Sequence, residues 1–366
     1  MTFSLKRYTL YFDWISFGAM LALATIGLLF VYSATHLQHQ PYSIFFKKQA
    51  FGMISGLGIY FLFTFLDYRR LARIGYFAYL ATMCLLLFTV VSGSIAMGGR
   101  RWIQLGLFKF QPSELAKLFL PSFISYYLFI QNDSFVYTIK NFIPLLAIIG
   151  ISFLLVAKQP DLGTALLVLG TGIIMCWLAG LERKYFIFGI LFIMITAPIS
   201  WKLLKPFQKQ RIAVFLGHGQ EQNERYQIEQ SKIAIGSGGL FGKGFLKGTQ
   251  NTLLFLPESR TDFIFAVICE EWGLVGALLV LSLFAILFLR IFSIIGNIKQ
   301  PFTQLLGYGL ILPCVLASII NMSMVMGLLP AVGIPLPLMS YGITHIWTTF
   351  AALGWIQSIA IRRSNF

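Results

Sequence analysis

Long apolar blocks separated by short charged connectors run along nearly the whole chain. A helix needs about 20 largely apolar residues to cross the hydrocarbon core of a bilayer. Blocks of that kind fall at 11–34, 49–67, 74–93, 113–130, 141–157, 163–180, 186–202, 263–291, 304–327 and 343–361. The pattern predicts an all-α polytopic membrane protein with about ten transmembrane helices in one domain over 1–366. A long, basic segment at about 203–262 lies between the predicted helices 7 and 8. Two connectors differ from the charged ones, a polar Lys158-Gln159-Pro160-Asp161-Leu162-Gly163 hinge and a Pro/Gly-rich stretch before residue 343. The first block is longer than the roughly 7–15-residue core of a cleaved signal peptide, so it reads as a retained helix.

Composition supports the pattern. Hydrophobic residues make up 57% of the 366 and charged residues 11%, against about 25% charged in soluble domains. Mean hydropathy is +0.78. A soluble fold with a single apolar appendage is excluded. Cys84, Cys176, Cys269 and Cys314 fall in four different apolar blocks, where they read as small packing residues rather than disulfide or metal partners. His36 and His39 share a loop with no third ligand nearby, so there is no metal motif. The net charge of +15 borders membrane spans. It therefore points to anionic lipid headgroups and not to nucleic acid.

Lys and Arg bias in short connectors sets orientation. With the N-terminus inside, inner connectors hold Lys6, Arg7, Arg69, Arg70, Arg73, Lys140, Arg183, Lys184, Arg290, Lys299, Arg362 and Arg363. The outer ones hold fewer: Lys47, Lys48, Arg100, Arg101, Lys109 and Lys158. Both termini are expected inside, and the 203–262 segment outside.

Charges where the membrane should exclude them are functional candidates. Arg100 and Arg101 sit beside Trp102 in an outer loop. Guanidinium forks match phosphate geometry, so these residues suit either a phosphate-bearing ligand or ordinary lipid headgroups. Gly236–Gly244 is glycine-rich and contains Lys243, but Gly244 stands where a Walker motif needs Ser or Thr. A turn fits that run better than a phosphate loop. Glu114 and Lys117, three apart on one helix face, suit an ion pair. Asp161, after Pro160, is placed to cap the sixth helix. Asp262 lies in Arg260-Thr261-Asp262-Phe263 at the mouth of the eighth span. It suits a helix cap or a general base at a membrane-edge cavity. Glu270 and Glu271, two turns further in beside Trp272, suit packing or an internal polar network.

Six motifs in order carry a resemblance: GGRRWI at 98–103, FQPSELAK at 110–117, KQPDLGTA at 158–165, YQIEQSKIAIGSGGLFGKG at 226–244, LPESRTDFIFAVICEEWG at 256–273 and GLLPAVGIPLPLMSYG at 327–342. Together they resemble the shape, elongation, division and sporulation (SEDS) family across essentially the whole chain. The short N-terminus and Lys247-Gly248-Thr249-Gln250 look more like its elongation (RodA-like) branch than its division (FtsW-like) branch. The resemblance implies a ten-helix fold in the bacterial cytoplasmic membrane with an outward-facing cavity. It also implies a peptidoglycan glycosyltransferase that polymerises lipid II during elongation and rod-shape maintenance, working with a class B penicillin-binding protein. Asp262 then corresponds to the family's general base. Arg100, Arg101, Trp102, Glu114, Lys117 and Asp161 match its other motif positions, and Lys243 and Arg260 are further cations for the diphosphate. A divalent cation such as Mg2+ could share that charge. Two departures stand out: Arg260 where the family usually has His, and Ile343-Thr344-His345 where it usually has a Gly-Ser-Ser patch. A lipid II flippase or a non-catalytic scaffold of the elongation complex are the rivals. A transporter should show inverted repeats, and no convincing one is visible.

Overall fold

The computed structural model describes residues 11–36, 42–96, 99–105, 108–131, 137–189, 191, 194, 209, 222–253 and 255–363. Polar side chains mark where its helices begin. Asp13 precedes α1 (Trp14–Thr35), and its Oδ2 accepts the Ser16 amide at 3.2 Å. Ser43 caps α2 (Ile44–Phe65) through the Phe46 amide, and Asp67 caps α3 (Tyr68–Ser92) through the Arg69 amide. These side-chain oxygens satisfy donors that a helix start leaves without partners. Then follow α4 (Pro112–Gln131), α5 (Ile139–Lys158), α6 (Leu162–Leu178), α7 (Gln222–Ser237), the short α8 (Thr249–Thr252), α9 (Ile264–Gly296), α10 (Pro301–Val325) and α11 (Ile343–Arg362).

Nine of the ten predicted spans coincide with α1–α6 and α9–α11. The predicted span 186–202 is described only at 186–189, 191 and 194, all helical, and residues 203–208, 210–221 and 254 of the long segment lie outside the described residues. Among the described residues, α1, α3, α5, α9 and α10 are long and apolar enough to cross a membrane. Their outward faces carry large apolar side chains such as Val91 and Leu289, about 70% exposed. Such surface suits lipid, since soluble monomers rarely expose contiguous apolar patches of that extent.

The all-α expectation needs one correction. Residues 94–110 contain a three-stranded antiparallel sheet, β1 (Ser94–Ala96), β2 (Gly99–Leu105) and β3 (Phe108–Phe110), in the order β1-β2-β3. Ser94 pairs with Trp102 and Ile103 with Phe110. The strands are too short to register as apolar blocks, so the sequence pattern shows only a connector.

Helices approach closely where glycine allows it. α11 packs along α2, α4 along α3 and α9 along α1. A Cβ on Gly354 would run into the Tyr60 backbone, and one on Gly27 into the Met339 backbone. Small residues at helix contacts in membranes let backbones meet this way. Arg362, expected as a connector charge, is instead buried. Its guanidinium donates to Thr64 O at 3.2 Å and Phe65 O at 2.7 Å, closing the last carbonyls of α2.

The 33-residue α9 is broken at Gly273, at φ +64° and ψ −157°. An unbroken helix would bond the amides of Leu274 and Val275 to the carbonyls of Glu270 and Glu271. Here the glycine-rich run takes over all four groups. Leu274 N donates to Gly239 O at 2.9 Å and Val275 N to Leu240 O at 3.1 Å, while Lys243 N and Gly244 N donate to Glu270 O and Glu271 O at 3.0 and 2.9 Å. The run is therefore a structural insertion into a helix, and two of its amides are engaged there.

Gly354→Ala should separate α2 from α11 and cost about 1–3 kcal/mol, lowering the thermal midpoint in detergent. Gly58→Ala, where an added Cβ meets nothing within 4 Å, should leave the midpoint unchanged or raised.

Candidate functional site

The turns before α9 and the loop before α11 are irregular backbone, and each supplies the other's hydrogen bonds. Asn321, fully buried on α10, donates through Nδ2 to Asp262 O at 2.8 Å and to Ile334 O at 2.7 Å. Ser340 Oγ donates to Thr261 O and accepts the Leu336 amide at 2.8 Å. Tyr341 N donates to Arg260 O at 2.9 Å. From α2, Gln49 Nε2 donates to Ser340 O at 3.0 Å, and its Oε1 accepts Gly342 N at 3.2 Å. α10 and the loop before α11 thus hold the Arg260-Thr261-Asp262 backbone, and α2 braces that loop.

Asp262 is not a helix cap. The N-cap position of α9 is Phe263, with no side-chain cap bond, and Thr261 Oγ1 turns back to Glu258. The Asp262 side chain is partly exposed, and a Cβ placed on Gly333 would lie 3.6 Å from its Oδ2. Gly333 has φ +68°, so a bare left-handed turn faces the carboxylate. Arg260 lies two residues away, its guanidinium 4.1 Å over the Phe45 ring. Burial pushes the Tyr341 hydroxyl above its ordinary pKa, and the Arg260 charge pulls it partly back.

The Lys158–Gly163 hinge meets the same loop from the other side. Asp161 caps α6 through the Thr164 amide at 3.2 Å, as its position predicts, and its Oδ2 accepts Gln111 Nε2 at 2.8 Å. Arg101, on β2, donates to Gln159 O at 2.9 Å and to Pro160 O. A Cβ on Gly163 would stand 2.5 Å from Val332 O. Gly163 of the hinge and the Asp262 carboxylate thus both face residues 332–334, and Arg101 and Asp161 are tied to the hinge. Arg100 and Trp102 lie on the same strand β2, Trp102 partly buried.

Other predicted residues sit apart from this arrangement. Glu114 and Lys117 form the expected ion pair at 2.7 Å, buried, with His345 Nδ1 at 3.1 Å and the Thr348 hydroxyl at 3.1 Å on the second carboxylate oxygen. A cavity of about 30 Å³ borders them and Pro337. Lys243 pairs with Glu270 at 2.6 Å, and Glu270 Oε1 also accepts the Thr249 and Gln250 amides at 2.8 and 3.1 Å. Glu271 takes the Ser33 hydroxyl and the Leu246 amide. Glu270 and Glu271 form the internal polar network that their position suggested. Among the described residues, no group of three or more His, Cys, Asp or Glu is placed to hold a metal ion.

Asn321, Ser340, Gln49 and Gln111 are missing from the sequence-based set. A lone amide or hydroxyl carries no spacing signal, although Gln111 and Ser340 do each stand within one of the six motifs.

A mostly helical bundle in which two irregular segments brace the backbone that carries a carboxylate and a guanidinium defines a polytopic membrane protein with a polar site. The model of the FtsW, RodA and SpoVE family, described as cell cycle protein, matches residues 13–365. The chain belongs to that family, the SEDS family. The peptidoglycan glycosyltransferase MrdB of Escherichia coli K12 is 41% identical over 295 residues, 79% of each chain. The probable peptidoglycan glycosyltransferase FtsW of Legionella pneumophila is 36% identical, over 92% of this chain and 87% of that one. Among solved structures, a chain of a peptidoglycan synthase complex, described as coordinating polymerization and crosslinking, superposes with a TM-score of 0.82 at 27% identity. The match covers 97% of this chain and 99% of that one. Rod shape determining protein RodA of Thermus thermophilus gives 0.72 at 26% identity, over 96% and 97% of the two chains.

Asn321→Leu should orphan two buried carbonyls, at about 1–3 kcal/mol each. Amide exchange in 256–263 and in 327–342 should accelerate together, while α3 and α5 keep their protection. Acceleration of only one segment would show that the two are not coupled through this side chain.

Proposed function

We propose that this chain is a peptidoglycan glycosyltransferase that polymerises lipid II into glycan strands during cell elongation, with Asp262 as the general base. The partly exposed carboxylate of Asp262, carried on braced backbone and facing a bare glycine turn, is the observation that carries the assignment. The family membership and the names of the matching relatives support the activity.

The chemistry suits these residues. Glycosyl transfer to a hydroxyl needs a base on the attacking oxygen, as in single-displacement, inverting transfer. Asp262 takes the acceptor proton while the acceptor oxygen attacks the anomeric carbon and the bond to the lipid diphosphate breaks. The departing diphosphate needs no second acid. It needs fixed positive charge in a water-poor site, for which Arg260 and the arginines of the Arg100, Arg101 and Trp102 strand are the candidates. Asp161, bonded to Gln111 and capping α6, would fix that strand's neighbour instead of reacting. Lys243, Glu114 and Lys117 would act through the fold, since each is engaged in an ion pair. A divalent cation such as Mg2+ would add positive charge at the departing diphosphate, but among the described residues no group of three or more His, Cys, Asp or Glu is placed to hold one.

The same reading places ten helices in the cytoplasmic membrane of a bacterium, both termini inside and the Asp262 site outward. It also assigns a class B penicillin-binding protein as partner. The synthase complex to which the fold is similar supports this.

Asp262→Asn keeps shape and hydrogen bonding but removes the base. Polymer formation from purified lipid II, by the detergent-solubilised protein with its transpeptidase partner, should fall about 10²–10⁴-fold with lipid II binding retained. An undiminished rate would move the chemistry elsewhere. Lipid II translocation in liposomes without polymer from wild type would favour a transporter.

A further inference from the structure

The cation beside Asp262 has an unusual mount. Phe45 stands in the first turn of α2, half-buried, and the Arg260 guanidinium carbon lies 4.1 Å from its ring centroid. The ring is itself fixed, because the Tyr341 ring meets it edge-on at 5.4 Å and 90°. Tyr341 in turn donates its amide to the Arg260 carbonyl at 2.9 Å. Backbone and side chain of Arg260 are thus held by two residues that also hold each other.

A guanidinium that rests its face on an aromatic ring keeps its in-plane N–H fork for an anion. Among the described residues no carboxylate forms an ion pair with Arg260. The nearby Glu258 carboxylate bonds the Thr261 hydroxyl at 3.1 Å instead. An arginine without such a mount would lose side-chain freedom on every binding event.

We propose that Phe45 is a positioning residue, whose ring presents the Arg260 guanidinium to the phosphoryl oxygens of a lipid-linked diphosphate next to Asp262. This rests on the glycosyltransferase reading for the identity of the donor. It goes beyond that reading in giving an aromatic residue of α2, outside all six motifs, a role in anion recognition. Neither a lone arginine nor a lone phenylalanine would suggest it, because the pair is 215 positions apart in sequence (260 minus 45).

The test measures binding rather than turnover, so it can fail while polymerisation survives, and the reverse. The full-length protein in phosphatidylcholine nanodiscs is titrated with a polyprenyl diphosphate, comparing wild type, Phe45→Leu, Phe45→Trp, Arg260→Gln and the Phe45→Leu/Arg260→Gln pair. Phe45→Leu and Arg260→Gln should each weaken Kd about tenfold, equivalent to about 1.4 kcal/mol. Phe45→Trp, which keeps a ring face, should stay within about twofold of wild type. The double variant should bind no more weakly than Arg260→Gln alone, since the ring acts only through the guanidinium. Wild-type affinity in Phe45→Leu, or additive losses in the pair, would overturn the proposal. Repeating the titration with phosphatidylglycerol separates the two anion sources. A Kd that holds supports a diphosphate site, whereas competition in proportion to phosphatidylglycerol content would assign the guanidinium to lipid headgroups and overturn it. Should Phe45→Leu fail to fold, Phe45→Trp and Arg260→Gln still decide the matter: a loss in both alike contradicts a ring-face mount.

Discussion

Inside hydrocarbon a backbone N–H or C=O has no water to turn to, so any departure from helix must be satisfied by protein. That constraint organises this molecule. Where α9 breaks at Gly273, the four backbone groups of Glu270, Glu271, Leu274 and Val275 are taken over by residues 239–244. Where the chain enters α9 and α11 through irregular turns, Asn321, Ser340 and Gln49 supply the missing bonds. The helices themselves need little explanation beyond their apolar length and their caps.

The site is a product of the same constraint. Irregular backbone is where a carboxylate can leave the helix ladder and face a cavity, and it must be rigid to hold a reacting geometry. The Asn321 amide bonds the Asp262 and Ile334 carbonyls at once, so the Asp262 backbone and the loop opposite it are fixed by one side chain. Gly333, without a Cβ, leaves room at the carboxylate. Arg101 and Asp161 are tied to the hinge before α6, whose Gly163 packs against Val332 of that loop. Distant parts of the chain thus meet at one short stretch, 332–334.

Much of this is legible in the sequence, for physical reasons. Apolar length reports spans directly, so nine predicted blocks meet helices within a few residues. Pro160 followed by Asp161 reads as a helix boundary, and the Glu114–Lys117 spacing reads as a pair. The β1–β3 sheet is not legible, because β1 and β3 have only three residues each and the seven of β2 show no clean apolar–polar alternation. The choice between cap and base for Asp262 is also closed to sequence, since both need an acidic residue near a helix start. The structure removes the cap by giving that position to Phe263. His345 stands out in the sequence only as a departure from the family pattern. Its contact with Glu114 at 3.1 Å joins segments 231 positions apart (345 minus 114), which no local spacing could reveal.

The central claim is a single carboxylate base working against a diphosphate leaving group. Its most direct test is the anomeric configuration of the first new glycosidic bond, compared with that of the donor, in a single-turnover reaction of the purified protein with lipid II. One base and one displacement require inversion. Retention would demand a covalent glycosyl intermediate on a nucleophilic side chain, and would contradict the assignment of Asp262 as general base.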